Sequence, residues 1–191
     1  LGMDKKEALE IVQKNGFELE NLPTHFKKDK EIVLEAIKQN TRAFQFANKI
    51  LKKDKEVVLK AVKQYCFALE FADDSLKKDK EVVLKAVKQN GWALEYSDKS
   101  LRKDKEVVLE AVKNDCLVLE LFAHKSFRKD KEVVLEAVKQ NGSVLEIVDK
   151  ILRKDKEVVL EAVKQNRFAL DYASKSLKND PDILAIVNKK K

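Results

Sequence analysis

The stretch "RKDKEVVLEAVKQN", Arg153 to Asn166, is nearly copied in "KKDKEVVLKAVKQY", Lys52 to Tyr65, and it recurs between and around them. The phrase Asp-Lys-Glu-Val-Val-Leu begins at Asp54, Asp79, Asp104, Asp130 and Asp155. Asp29 opens the variant "DKEIVL", and fainter copies open at Asp4 ("DKKEAL") and Asp180 ("DPDILA"). Successive starts lie 25, 25, 25, 25, 26, 25 and 25 residues apart, a period that marks a tandem-repeat architecture. We read one repeat domain over residues 4–191: seven complete units and a partial eighth at Asp180, with the single extra residue near Leu121-Phe122. Leu1-Gly2-Met3 is expected to be left from cloning, which would hide a native N-terminus and any targeting signal.

Each unit reads as two short helices. In the fourth, an aspartate cap (Asp79) precedes a first-turn glutamate (Glu81), both suited to the positive end of a helix. Pro181, directly after Asp180, supports this start, because proline is tolerated at the first helical position. Val82, Val83, Leu84, Ala86 and Val87 span roughly 200° of the wheel, wider than an ordinary surface helix shows. So broad an arc calls for neighbours on more than one side. Asn90-Gly91 ends the helix, with glycine expected in the left-handed conformation, as at Asn15-Gly16 and Asn141-Gly142. A second helix, Trp92 to Leu101, is expected to bury Ala93, Leu94, Tyr96, Ser97 and Leu101. Neither helix is long enough to be stable alone. The fold class is therefore all-α, an α-solenoid of about seven helix-turn-helix repeats plus a terminal helix from Asp180 to about Asn188.

The pattern from Asp79 to Lys103, with Ala86, Val87, Asn90, Gly91, Ala93 and Leu94 at its centre, resembles the repeat family known as domain of unknown function 4116. The resemblance covers essentially the whole chain. It implies a tandem array of the kind found within larger proteins, and it brings no catalytic residues to carry over. Thr41, Cys66, Cys116 and Arg167 depart from the pattern in the glycine slot, which bears on turn geometry.

Composition agrees with this class. Charged residues are 38% of 191 and hydrophobic ones 44%, while 4 Gly and 2 Pro leave little room for hairpins. Mixed charge this dense suits a solvated helical surface. The net charge of +7 permits an acidic partner without requiring one, since 33 acidic residues are interleaved with 40 basic ones. No segment approaches a membrane span and none resembles a signal peptide. With Cys66 and Cys116 taken as reduced, a cytoplasmic location is expected.

Candidate chemistry is sparse. His25 and His124 are about four repeats apart, so no triad or metal set is expected from them. Cys116 and His124 share a unit but lie eight residues apart, roughly 12 Å along a helix, too far for a nucleophile and its base. No disulfide between Cys66 and Cys116, no catalytic residue and no cofactor is expected, and the chain reads as a non-enzyme.

Two repeated features remain. "KKDK" or "RKDK" junctions contribute Lys52, Lys53, Lys77, Lys78, Arg102, Lys103, Arg128, Lys129, Arg153 and Lys154 to one basic ridge, a footprint for nucleic acid or an acidic membrane surface. The same charges also serve solubility and helix dipoles. The second feature is a variable column opening the second helix: Phe17, Arg42, Phe67, Trp92, Leu117, Ser143 and Phe168. It contrasts with the nearly constant leucine slot two residues on. Variation in a fixed frame, with aromatics and arginine present, suits a contact surface for a protein or peptide. The leading expectation is a scaffold for protein or peptide partners with Phe67, Trp92 and Phe168 as anchors and Arg42 as a polar contact. The alternative is polyanion binding by the ridge, and a third is a structural spacer.

Overall fold

An aspartate opens every long helix in the computed structural model, which describes residues 2–189. These helices are α1 (Lys5–Lys14), α2 (Lys30–Gln39), α3 (Lys55–Gln64), α4 (Lys80–Gln89), α5 (Lys105–Asn114), α6 (Lys131–Gln140), α7 (Lys156–Gln165) and α8 (Pro181–Lys189). Asp54 shows the cap: its Oδ1 accepts the Glu56 and Val57 N–H groups at 3.0 and 3.2 Å. These are donors that the helix itself leaves unbonded. Asp180 does the same for Asp182 and Ile183. The fold is all-α, with no strand among the described residues. The wide apolar arc is buried as its composition requires: Val82, Val83, Ala86 and Val87 are inaccessible to solvent, and Leu84 is half-buried.

The second helix of each unit differs from the single α-helix read above. It is a six-residue 3-10 helix in most repeats, such as Gly91–Tyr96, followed by a separate single turn such as Leu101–Lys103. Its sequence explains the tighter winding. Residues three apart share a face in a 3-10 helix, and the triples Thr41-Phe44-Ala47, Cys66-Leu69-Ala72, Gly91-Leu94-Ser97 and Gly142-Leu145-Val148 are all buried. The break follows from extended backbone, with ψ 148° at Ala47 and 150° at Asn48. Repeat 5 absorbs its extra residue by winding Val118–Leu121 as one α-turn instead, which takes more residues per turn.

The left-handed glycine is also corrected. Among the described residues no glycine and no other residue has a positive φ. Asparagine makes the corner: Asn166 is extended (φ −142°, ψ 112°) and its side chain accepts the Phe168 N–H at 3.0 Å, an Asx turn that nucleates the 3-10 helix. Glycine is there for closeness. A Cβ on Gly142 would stand 2.1 Å from the Ala162 carbonyl oxygen, and one on Gly91 2.3 Å from that of Ala111. The glycine thus lets the 3-10 start rest on the backbone of the next long helix.

Contacts divide the chain into two compact units. One runs up to Gln89 and includes Tyr96–Leu101; the other holds Asn90–Glu95 and everything from Arg102 onward. Within each, repeats join in the same register. The N–H groups of Asn48, Asp73 and Asp98 donate to the carbonyls of Lys27, Lys52 and Lys77 in the first unit. His124, Asp149 and Ser174 donate to Arg102, Arg128 and Arg153 in the second, all at 2.9–3.0 Å. Gln89 and Gln140 reach back to the helix-end carbonyls of Val62 and Val112 at 2.9 and 2.6 Å.

Gly142→Ala should therefore destabilise the protein by about 1–3 kcal/mol through overpacking, read as a lower urea midpoint. Gly2→Ala, with nothing within 4 Å of its added Cβ, should leave the midpoint unchanged.

Candidate partner-binding face

The basic junctions are largely engaged within the fold. The first cation of most junctions folds back onto backbone carbonyls in or just after the preceding 3-10 helix: Lys27 to Glu20 and Lys52 to Gln45 at 2.6 Å, Arg102 to Glu95 at 2.5 Å, and Arg153 to Glu146 and, at 2.7 Å, Val148. Burial, followed by the like charges of Lys49 and Lys77, pushes the Lys52 ammonium pKa down. Arg128, following the repeat with the extra residue, reaches Glu120 at 3.4 Å and leaves its Nε buried without a partner. Lys77 lies 3.9 Å from Asp74.

In six repeats the lysine after the cap aspartate bridges forward to the next repeat. Lys30 binds Asp54 and Glu56 at 3.0 and 2.7 Å, Lys55 binds Asp79 and Glu81 at 2.8 and 2.7 Å, and Lys105 binds Asp130 and Glu132 at 2.9 and 2.8 Å. Lys5, Lys131 and Lys156 do likewise. The middle cation of each junction, Lys53, Lys78, Lys103, Lys129 and Lys154, stays exposed; Lys53 and Lys129 only approach Asp73 and Asp149 at 3.8 Å.

The variable column is placed in two ways. Phe17, Phe67 and Trp92 are half-buried, each with its ring edge against an aromatic of the following repeat: Phe46 at 6.0 Å, Tyr96 at 6.0 Å and Phe122 at 5.4 Å. Trp92 also donates its indole N–H to Asp115 at 2.7 Å. These three positions fill the step between repeats. Arg42 is exposed, and so are Leu117 (42%) and Phe168 (63%), the latter with Arg167 stacked 4.9 Å from its ring centre. Ser143 is half-buried, its hydroxyl accepting from the Asn166 amide at 2.9 Å.

Leu117 is aliphatic where repeats 1, 3 and 4 carry a ring, and Ile147, at the position that would face such a ring, is aliphatic too. Between repeats 5 and 6 a cleft of about 280 Å³ opens in place of a ring pair, lined by Leu117, Ser143, Val144 and Ile147 with Glu120 and Glu146 at its edge. Leu117 is itself exposed, and Phe168, the column residue after Ser143, exposes a second apolar side chain. Leu121 (52%) and Ile151 (68%) add exposed apolar surface in the same unit. Tyr96, expected to be buried, is half-buried against Phe67; sequence reading missed Ile147 and the other partner aromatics. The signal was present, since Phe46, Phe71, Tyr96 and Tyr172 recur four residues after the column, but periodicity within one unit cannot show that they meet the column of the unit before.

The remaining candidates are structural in their contacts. Cys66 and Cys116 are free and buried, and burial raises both thiol pKa values. His124 caps a single turn through Ser126. Among the described residues no group of His, Cys, Asp and Glu could hold a metal ion, and no helix is long and apolar enough to cross a membrane.

Comparison with known families adds one finding. The model of the family described as domain of unknown function 4116 matches residues 4–52, 54–102, 104–153 and 154–189. Each of the first three matches spans two of the 25-residue repeats. No curated protein and no solved structure gives a significant match.

The forward bridges predict a pH dependence. Burial opposes ionisation of Asp29, Asp54, Asp79, Asp130 and Asp155, but the bridging lysines and the first-turn N–H groups outweigh it, so each pKa lies below the ordinary 3.8. Lys30 and then Lys60 hold the Glu56 carboxyl at about 2. A depressed carboxyl pKa gives stability that is present above the unfolded-state pKa and lost as pH falls through the folded one. Urea midpoints should be level from neutral pH down to about 5 and fall progressively below about 4. A midpoint that holds level to pH 2 would contradict the bridges.

Proposed function

The chain belongs to the domain of unknown function 4116 family, and we propose that it works there as a non-enzymatic scaffold whose 3-10 face binds a protein or peptide partner. The observation that carries this reading is the cleft between repeats 5 and 6, lined by the exposed Leu117 and by Val144 and Ile147. An apolar recess with an exposed apolar wall suits a partner's anchor residue, because burying such an anchor in a pocket is where interface energy concentrates. The column supports it further. Positions that pack between repeats carry rings, whereas Leu117, Ser143 and Phe168 vary without an internal ring partner. The junction cations favour this reading over a polyanion ridge, since two of the three in a junction commonly bond within the chain.

The test is selection of peptides from a displayed library on the intact protein, followed by titration calorimetry with variants. Leu117→Trp places in this slot the residue that repeat 4 already carries there, so the fold should tolerate it while the ring, facing Ile147, closes the cleft. Selected peptides should bind Leu117→Trp at least about tenfold more weakly, a loss of the size a filled anchor pocket causes. Trp92→Ala should lower the unfolding temperature and leave that affinity unchanged. Equal binding by wild type and Leu117→Trp would exclude this cleft as the site.

A further inference from the structure

The long helices present a second surface, and its charge reverses along the chain. The seventh position of the long-helix segment, counted from the cap aspartate, is Glu10, Glu35, Glu110, Glu136 and Glu161 in five repeats, but Lys60 and Lys85 in repeats 3 and 4. Where glutamate stands there it can meet the lysine three residues on: Glu35–Lys38 at 3.7 Å, Glu110–Lys113 at 2.7 Å and Glu161–Lys164 at 2.5 Å. With lysine at the seventh position that pairing is impossible. Lys60 turns back to Glu56 at 2.8 Å, and Lys63 and Lys85 have no carboxylate at bonding distance among the described residues.

The groove between α3 and α4 gathers these groups. Its floor is Leu59 and Leu84, its rim carries Lys60, Lys63, Lys85 and Lys88, and it encloses about 500 Å³. Its carboxylates, Glu56 and Glu81, are already bound by Lys30 and Lys55 of the preceding repeats at 2.7 Å. Four lysines against two glutamates give the groove a formal +2. The same positions on α5 and α6 are Glu106, Glu110, Glu132 and Glu136 against Lys113 and Lys139, a formal −2. Two sets of residues equal in fold thus carry opposite charge, which repeat packing by itself does not call for.

We propose that the α3–α4 groove is a second binding site, separate from the 3-10 face, for an acidic peptide segment that carries an apolar residue between its carboxylates. The rim lysines attract the carboxylates from both helices, and the leucine floor takes the apolar side chain. Ten-residue helices are about 15 Å long, so the groove accommodates a short segment, about ten residues if it is helical. A nucleic-acid strand would match the lysines but leave the leucine floor uncovered.

Fluorescence anisotropy with a labelled helical peptide of about twelve residues (roughly 18 Å), with Leu and Trp on one face among Asp and Glu, tests this at low ionic strength. Lys60→Glu with Lys85→Glu installs the residue that five other repeats carry and should fold. It should weaken binding at least about tenfold, as removal of complementary charge does. Glu110→Lys with Glu136→Lys should create a second site and raise the stoichiometry. The proposal is overturned if the double Lys→Glu protein binds as wild type does, or if a Gln-for-Glu peptide binds equally well. It is overturned also if a single-stranded oligonucleotide of equal charge binds as tightly, or if sedimentation shows that the groove is instead occupied by a second copy. Leu117→Trp should leave this peptide's affinity unchanged, so failure here and failure at the 3-10 face are read separately.

Discussion

No 25-residue repeat of this protein can bury its own apolar surface. A ten-residue helix with an apolar arc of roughly 200°, joined to a 3-10 helix and a single turn, exposes valines on any side that lacks a neighbour. Isolated helices of this length are marginal in water. Everything else in the structure serves the contact between one repeat and the next. The alanine in each long helix is small enough, and the facing glycine bare enough, for backbones to meet at Gly16–Ala36, Gly91–Ala111 and Gly142–Ala162.

The recurring phrase then reads letter by letter. Aspartate caps its own helix and receives the lysine of the repeat before. The next lysine reaches forward, the glutamate accepts it, the valines and alanine form the core, glutamine bonds back to the preceding helix end, and asparagine turns the corner. Individually the exposed ion pairs contribute little, because water screens them. Their register adds specificity, because a slipped repeat would set lysine against a valine or a second lysine.

Much of this was legible in the sequence. The period, the cap aspartates, the wide apolar arc and the family resemblance all follow from comparing the copies. The 3-10 winding was less accessible, since its three-residue spacing overlaps the pattern of a short α-helix, and only Thr41-Phe44-Ala47 and its counterparts, seen buried together, separate the two. The glycine role was misread for a related reason. A glycine after asparagine suits a left-handed helix end, whereas here it answers a carbonyl contributed by the following repeat. The variable column divided along the same line. Phe67 and Trp92 resembled free anchors because their ring partners, Tyr96 and Phe122, lie about thirty residues on. Leu117 and Phe168 stay exposed, and Leu117 facing Ile147 leaves the step between repeats 5 and 6 open.

The dependence of each repeat on its neighbours is open to one direct measurement. Val133 is inaccessible to solvent in α6, which packs against both α5 and α7. Amide hydrogen exchange on the intact Val133→Ala protein, compared with wild type, reads how far the loss of that contact travels. Nearest-neighbour stabilisation predicts faster exchange in α5 and α7 as well as in α6. Acceleration confined to α6 would show that the repeats stand independently and would contradict it.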